Sequence, residues 1–195
     1  IVCLDENTTP SIVQNVKKKA VTYALNNKNA DYTAENITLE KNGCPTFDIF
    51  NKDRKVLSVS LNVAGDHNIC NALGVTAACE FLGIEPEYIK SGLEEFRGAK
   101  RRFDRLGKTE TGVDVVDDYA HHPTEIKTTL ETAKKMGYNN VWVAFQPHTY
   151  TRTAAFLEQF ASALKTADRV MITDIYPARE KYDGTMHACD LARLI

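Results

Sequence analysis

Within the seven residues Asp117-Asp118-Tyr119-Ala120-His121-His122-Pro123 the chain places two carboxylates, a phenol and two imidazoles. Groups of these kinds can orient a nucleotide, hold a cation or move protons near neutral pH. Lys100-Arg101-Arg102-Phe103-Asp104 precedes this cluster and Gln146-Pro147-His148-Thr149-Tyr150-Thr151-Arg152-Thr153 follows it. The arginines add planar forks that match a carboxylate or phosphate bidentately and can neutralise developing phosphoryl charge.

The elements that must position these groups can be read from periodicity. Val113, Val115 and Val116 form a β-branched run leading into the cluster, and Pro123 stands where a first helical turn tolerates a missing N–H. From Gly112 onward strand and helix alternate. The pattern predicts a strand over 113–118 and a helix over 123–136 with Ile126, Leu130 and Ala133 inward. The apolar run 141–145 reads as a strand buried on both faces, with Trp142 in the core. A helix over 153–167 buries Phe156, Phe160, Ala163 and Leu164, and a third strand covers 169–174. This βαβαβ order implies a parallel sheet with right-handed crossovers. Its strands end at Asp118, Gln146 and Asp174, so Tyr119, His121, His148, Arg152 and Tyr176 are expected to converge on one sheet edge. Plainer roles compete. His122 reads as a helix cap, and Asp117 as a solvated strand-end residue. The histidine spacing matches no standard zinc site, so no metal-ligating residues are expected here.

The first half differs in texture. Segments 37–39 and 46–49 flank Lys41-Asn42-Gly43-Cys44-Pro45, whose Asn-Gly signals a hairpin. With the alternation from Leu57 to Val63 this predicts an antiparallel sheet. A helix over 68–82 follows, with Ile69, Leu73, Ala77 and Phe81 inward and Gly83 as its stop. A second helix from Pro86 turns Tyr88, Ile89, Leu93 and Phe96 inward. Asn68 and Asn71 share a face of the first helix; Asn68 reads as an N-cap, and the amide pair also suits the donor–acceptor edge of a purine. The charged stretch 100–108 is the expected hinge between two domains. Gly107-Lys108-Thr109 lacks the glycine that a phosphate-binding loop needs five residues earlier, where Arg102 stands.

Composition sets outer bounds. The 195 residues are 43% hydrophobic and 26% charged, as in a globular protein, and the net charge of −2 gives no general attraction to nucleic acid or anionic membrane. No apolar run approaches the ~20 residues of a membrane span. The five scattered cysteines lack metal spacing and read as free thiols of a reducing cytoplasm. Both ends fall inside expected elements, so the chain reads as part of a longer polypeptide whose remainder is its partner.

Four segments in order resemble the Mur ligases: Gly65-Asp66-His67-Asn68 continuing to Asn71-Ala72-Leu73, Arg101-Arg102-Phe103, Asp117 to Pro123, and Gln146-Pro147-His148 with Tyr150-Thr151-Arg152-Thr153. The resemblance implies an α/β fold: residues 1–98 as the later part of a central ATPase domain lacking its P-loop, and 99–195 as the start of a Rossmann-like domain that closes on it. It implies ATP and Mg²⁺, the metal's main ligands lying outside this chain. The implied activity adds L-alanine to UDP-N-acetylmuramate through an acyl phosphate, and this chain by itself would not turn over. Asn68 and Asn71 would contact adenine, and Arg102 and Asp118 the nucleotide. Tyr119, His121, His148 and Arg152 would shape the amino-acid and acyl-phosphate pocket, with Arg102, Asp118 and His121 as the catalytic set. Thr149 departs from the arginine that many alanine-adding members carry there. A tripeptide-recycling ligase of the same family, a folate- or cyanophycin-type ligase and a non-catalytic nucleotide-binding module are the alternatives.

Overall fold

A computed structural model describes the chain apart from residues 7, 41 and 183 and the side chains of residues 10 and 12, so Lys41 of the expected hairpin turn lies outside the described residues. The chain divides into two compact units, Ile1–Gly98 and Ala99–Ile195.

The first unit contains β1 (Val2–Cys3), α1 (Thr9–Val13), β2 (Thr22–Tyr23), β3 (Tyr32–Leu39), β4 (Pro45–Asn51), β5 (Arg54–Ser60), α2 (Asp66–Phe81) and α3 (Pro86–Glu95). The strands form one sheet in the order β1-β2-β3-β4-β5. The β3–β4–β5 ladders are antiparallel, as the alternation predicts, whereas β1, β2 and β3 run parallel. Phe47, Ile49, Leu57 and Val59 of the sheet pack against Ile69, Leu73 and Ala77 of α2 and Ile89 of α3. Burying each of the larger side chains stabilises the fold by roughly 1.5–3 kcal/mol. Gly83 ends α2 in the left-handed region (φ 76°), with Gly83 N–H bonded to Glu80 O and Ile84 N–H to Cys79 O.

Three expected core residues are outside it. Phe81 and Tyr88 are each 74% exposed, and Phe96 lies beyond the end of α3, also exposed. Every step of four residues advances about 40° around a helix, so a stripe starting at Ile69 has rotated off the core by Phe81. Tyr88 precedes the buried Ile89 and falls on an adjoining face.

The second unit contains β6 (Asp104–Lys108), β7 (Asp114–Asp117), α4 (Pro123–Lys135), β8 (Trp142–Phe145), α5 (Tyr150–Ala155), α6 (Leu157–Leu164), β9 (Arg169–Ile172) and α7 (Ala188–Ala192). The strands β8 and β9 pair in parallel through the crossover of α5 and α6, and an isolated parallel bridge joins His148 to Tyr176 beyond them. Of the three strands expected in one parallel sheet only β8 and β9 pair that way; the ladder of β7 is antiparallel, with β6, in a separate sheet, so half of the expected hinge is a strand. Charged side chains do not prevent this, because ladder bonds belong to the backbone. The predicted helix 153–167 is two helices joined at Phe156, whose backbone leaves helical geometry (φ −118°, ψ 23°). Phe160, Ala163 and Leu164 are buried with Ile126, Leu130, Phe145 and Leu191. Trp142 is not core: it is 71% exposed. Phe145 and Val143 face the helices, and Trp142 and Ala144 alternate to the other side of β8, so this strand is covered on one face. Among the described residues no helix is long and apolar enough to cross a membrane.

Candidate functional site

The Asp117–Pro123 cluster lies where β7 ends and α4 begins, and the arginine segment is bonded to it. Tyr119 N–H donates to Arg101 O at 2.7 Å. The Asp118 carboxylate accepts from Phe103 N–H at 2.8 Å, Ala120 N–H at 2.7 Å and the Thr129 hydroxyl at 3.2 Å. Arg101 and Phe103 hold left-handed backbone (φ 59° and 48°), a strained arrangement that these bonds maintain. Asp117 pairs instead with Arg101 Nε at 3.2 Å, and the Arg101 guanidinium lies 4.8 Å over the Tyr119 ring. The two adjacent aspartates thus differ: Asp118 organises backbone and Asp117 pairs with a surface arginine.

His122 caps α4, its Nδ1 accepting from Thr124 N–H at 3.3 Å. Glu125 completes a capping box, accepting from His121 N–H at 3.0 Å and His122 N–H at 3.2 Å. Its other oxygen meets Arg102 Nη1 at 3.3 Å. Partial burial opposes ionisation of Glu125, but the His121 N–H, Arg102, the His121 ring and the His122 N–H together hold its carboxyl below the usual range. Glu125 is therefore the node joining the arginine segment to the histidines, and the sequence reading missed it. The glutamate three residues after the capping position was the available signal.

An aromatic row crosses the unit. Ring centroids are 5.1 Å apart for Tyr119–His121, 6.4 Å for His121–His148 and 5.3 Å for His148–Tyr176. The bridge that fixes His148 consists of Thr149 N–H to Tyr176 O and Tyr176 N–H to Pro147 O, both 2.8 Å. Four of the five side chains expected to converge form this row; the fifth, Arg152, makes no ring contact among the described residues. His148 Nδ1 is buried and has no hydrogen-bond partner among the described residues. A buried polar atom of this kind is disposed to bond an incoming ligand group.

Arg152 lies on α5, whose cap is Thr149 in left-handed backbone (φ 67°). Thr149 Oγ1 accepts from Arg152 N–H at 3.4 Å, and Thr149 O from the Thr153 hydroxyl at 2.7 Å. Glu180 fixes the same turn by accepting from Thr151 N–H at 3.0 Å and from the Thr151 hydroxyl. Those bonds hold the Glu180 carboxyl below its usual range. The Arg152 guanidinium itself has no ion pair among the described residues, which leaves its fork available to an anion. Glu180 was also missed, and no local pattern marks it.

In the first unit Asn68 and Asn71 share a face of α2 as expected, with Asn71 Nδ2 3.4 Å from Asn68 Oδ1. Asn68 is not the helix cap: Gly65 holds that position, and Asn68 Nδ2 donates to Ala64 O at 2.8 Å. Gly107 and Lys108 belong to β6, so they form no phosphate-binding loop. The group of described residues able to hold a metal is Cys3, Asp5 and Cys70, which chain spacing did not reveal.

The Mur ligase middle domain model matches residues 1–79, and the model of the Mur ligase glutamate ligase domain matches residues 101–195. A UDP-N-acetylmuramate–L-alanine ligase of Acetivibrio thermocellus is 46% identical over 100% of this chain and 41% of its own length. One of Caldanaerobacter subterraneus subsp. tengcongensis is 43% identical over 100% of this chain and 42% of its own. The crystal structure of a UDP-N-acetylmuramate–alanine ligase from Thermotoga maritima superposes with a TM-score of 0.70 at 34% identity, covering 89% of this chain and 36% of that one. The chain therefore spans about two fifths of the length of the curated relatives it matches.

Proposed function

The chain belongs to the Mur ligase family, and we propose that it is part of a cytoplasmic ATP-dependent ligase that joins L-alanine to UDP-N-acetylmuramate in peptidoglycan precursor synthesis. The observation that carries this reading is the whole-chain likeness to relatives bearing that activity's name. The geometry of the second unit agrees with it. A carboxylate-bearing amino acid needs a fork to hold its carboxylate, and the Arg152 guanidinium is unpaired among the described residues. The amine must be aimed at an activated carbonyl, and His148 Nδ1 together with Tyr119 and His121 supplies polar groups in an otherwise aromatic row.

The residue roles follow the same reading. Asn71, exposed and weakly bonded to Asn68, offers an amide edge to adenine. Arg102 supplies a cation towards the nucleotide phosphates, and Glu125 sets its direction. Asp118 shapes the strand end through its backbone bonds rather than through a free carboxylate. Mg²⁺ is a hard cation that prefers oxygen ligands. Cys3, Asp5 and Cys70 do not suit it, so its ligands are assigned outside this chain.

The deciding experiment is phosphate release by the full-length protein with Mg-ATP and UDP-N-acetylmuramate, comparing L-alanine with the tripeptide that a recycling ligase would attach. Release with L-alanine alone supports the proposal. Release with the tripeptide alone moves the chain to the recycling branch. Nucleotide binding without release in either arm identifies a non-catalytic module.

A further inference from the structure

Cys3 on β1, Asp5 just after it and Cys70 on α2 meet in the first unit although the two cysteines are 67 positions apart. Their sulfurs are separated by 3.6 Å, and the two sulfurs and an Asp5 carboxylate oxygen all lie within 4.8 Å of one another. We propose that Cys3, Asp5 and Cys70 form a binding site for a borderline-soft divalent cation of the zinc class, with a fourth position left for solvent.

The sulfur separation is the first argument. Tetrahedral coordination with metal–sulfur bonds of ~2.3 Å puts two sulfurs ~3.8 Å apart. A disulfide requires ~2.05 Å. The observed distance is close to the edge of a coordination tetrahedron and far from a bond. Asp5 supplies the second argument, because its carboxylate is already oriented. Oδ2 accepts from Leu25 N–H at 2.7 Å, and Oδ1 accepts from Asn26 N–H and Asn27 N–H, both at 3.1 Å. Outer-shell donors of this kind fix a ligating carboxylate.

The fold also explains why Cys70 reaches Cys3. Cys3 pairs in register with Tyr23 of β2. One turn beyond Cys70, a Cβ added at Gly74 would lie 3.0 Å from Tyr23 Cζ, so α2 rests directly on this strand pair. The close approach that glycine permits carries the Cys70 thiol over Cys3. Two thiolates and a carboxylate favour a cation that accepts sulfur ligands over Mg²⁺ or Ca²⁺. The competing account is a pair of neutral thiols sharing a weak S–H···S hydrogen bond beside a structural aspartate, and it predicts no cation uptake.

The test uses full-length protein, reduced, stripped with chelator and kept anaerobic, titrated with Cd²⁺ while thiolate-to-cadmium charge-transfer absorption is recorded; Zn²⁺ then competes. The proposal expects one equivalent per chain, displaced by Zn²⁺. Cys3→Ser and Cys70→Ser should each abolish the absorption, and Cys44→Ser and Cys79→Ser should leave it unchanged. Asp5→Asn should weaken binding by roughly 10-fold or more. Circular dichroism verifies folding, and Cys70→Ala replaces the serine variant if that one fails to fold. Absence of the band, or a band of unchanged size in both Cys3→Ser and Cys70→Ser, overturns the site.

Discussion

The backbone N–H of Phe103 donates to Asp118 Oδ2 at 2.8 Å, joining the arginine turn to the end of β7. Asp118 also bonds the Ala120 N–H and the Thr129 hydroxyl, so one side chain holds three segments in register. Hydrogen bonds to a charged group contribute about 1.5–3 kcal/mol each, and they are not additive within a network. Asp118→Ala should therefore lower unfolding free energy by roughly 2–3 kcal/mol and deprotect the Phe103 and Ala120 amides. Asp118→Asn, which keeps one acceptor, should lose about half as much. Denaturant unfolding and amide hydrogen exchange measure both; unchanged protection in Asp118→Ala would show that the turn is held by other contacts.

Arg152 is expected to act on substrate rather than on folding. In the full-length protein Arg152→Ala should reduce kcat/KM for the amino acid by roughly 10- to 100-fold, the range for a lost charge-assisted bond. Nucleotide affinity and melting temperature should hold. Arg152→Lys should recover part of the loss, since it restores charge without the fork. Equal losses in ligation and nucleotide binding would place Arg152 elsewhere in the site.

Glu125 makes stability pH-dependent on the acid side. Its folded value lies below the unfolded one near ~4.3, so its contribution is complete above that pH and is lost as pH falls through the folded value. Glu125→Gln should melt lower than wild type at neutral pH, and the difference should shrink below about pH 4. Melting curves of both proteins between neutral and acid pH decide this; a difference independent of pH would remove Glu125 from the acid transition.

Tyr32 works at the other end of the scale. Burial, with the bond from its hydroxyl to Glu80 Oε2 at 2.8 Å, pushes the phenol up to about 12. The folded value exceeds the unfolded one of ~10, so this stabilisation is full below pH ~10 and is lost as pH rises through the folded value. In a spectrophotometric titration the last phenol to ionise should be absent from Tyr32→Phe. Its persistence would assign that step to another tyrosine.

Trp142 and Phe160 test the one-sided burial of β8. Phe160 is fully buried, and Phe160→Ala should cost about 3–5 kcal/mol. Trp142→Ala in this chain should change stability by roughly 1 kcal/mol or less, since most of the indole already meets solvent. Comparable losses would mean that Trp142 is packed after all.

The elements around the site were legible because their signals are local. The Pro123 start and Gly137 stop of α4, the His122 cap and the Schellman end of α2 at Gly83 all depend on residues within one turn of each other. Periodicity alone also placed Phe160, Leu164, Ile69 and Leu73 in cores. The parallel crossover from β8 to β9 sends their two ends to one edge, which brings His148 beside Tyr176; Tyr119 and His121 join that row from the end of β7, which pairs antiparallel with β6.

What the sequence by itself determined was the inventory: family, element order, and the acid, imidazole and guanidinium groups available for chemistry. Tertiary structure decided their pairings, because a contact between distant residues leaves no trace in local spacing. It assigned Asp118 to the Phe103 backbone, tied Arg102 to Glu125, brought Glu180 to the Arg152 turn and set Cys70 beside Cys3. It also turned Trp142 outward, since an apolar run is the same whether a strand is covered on both faces or on one.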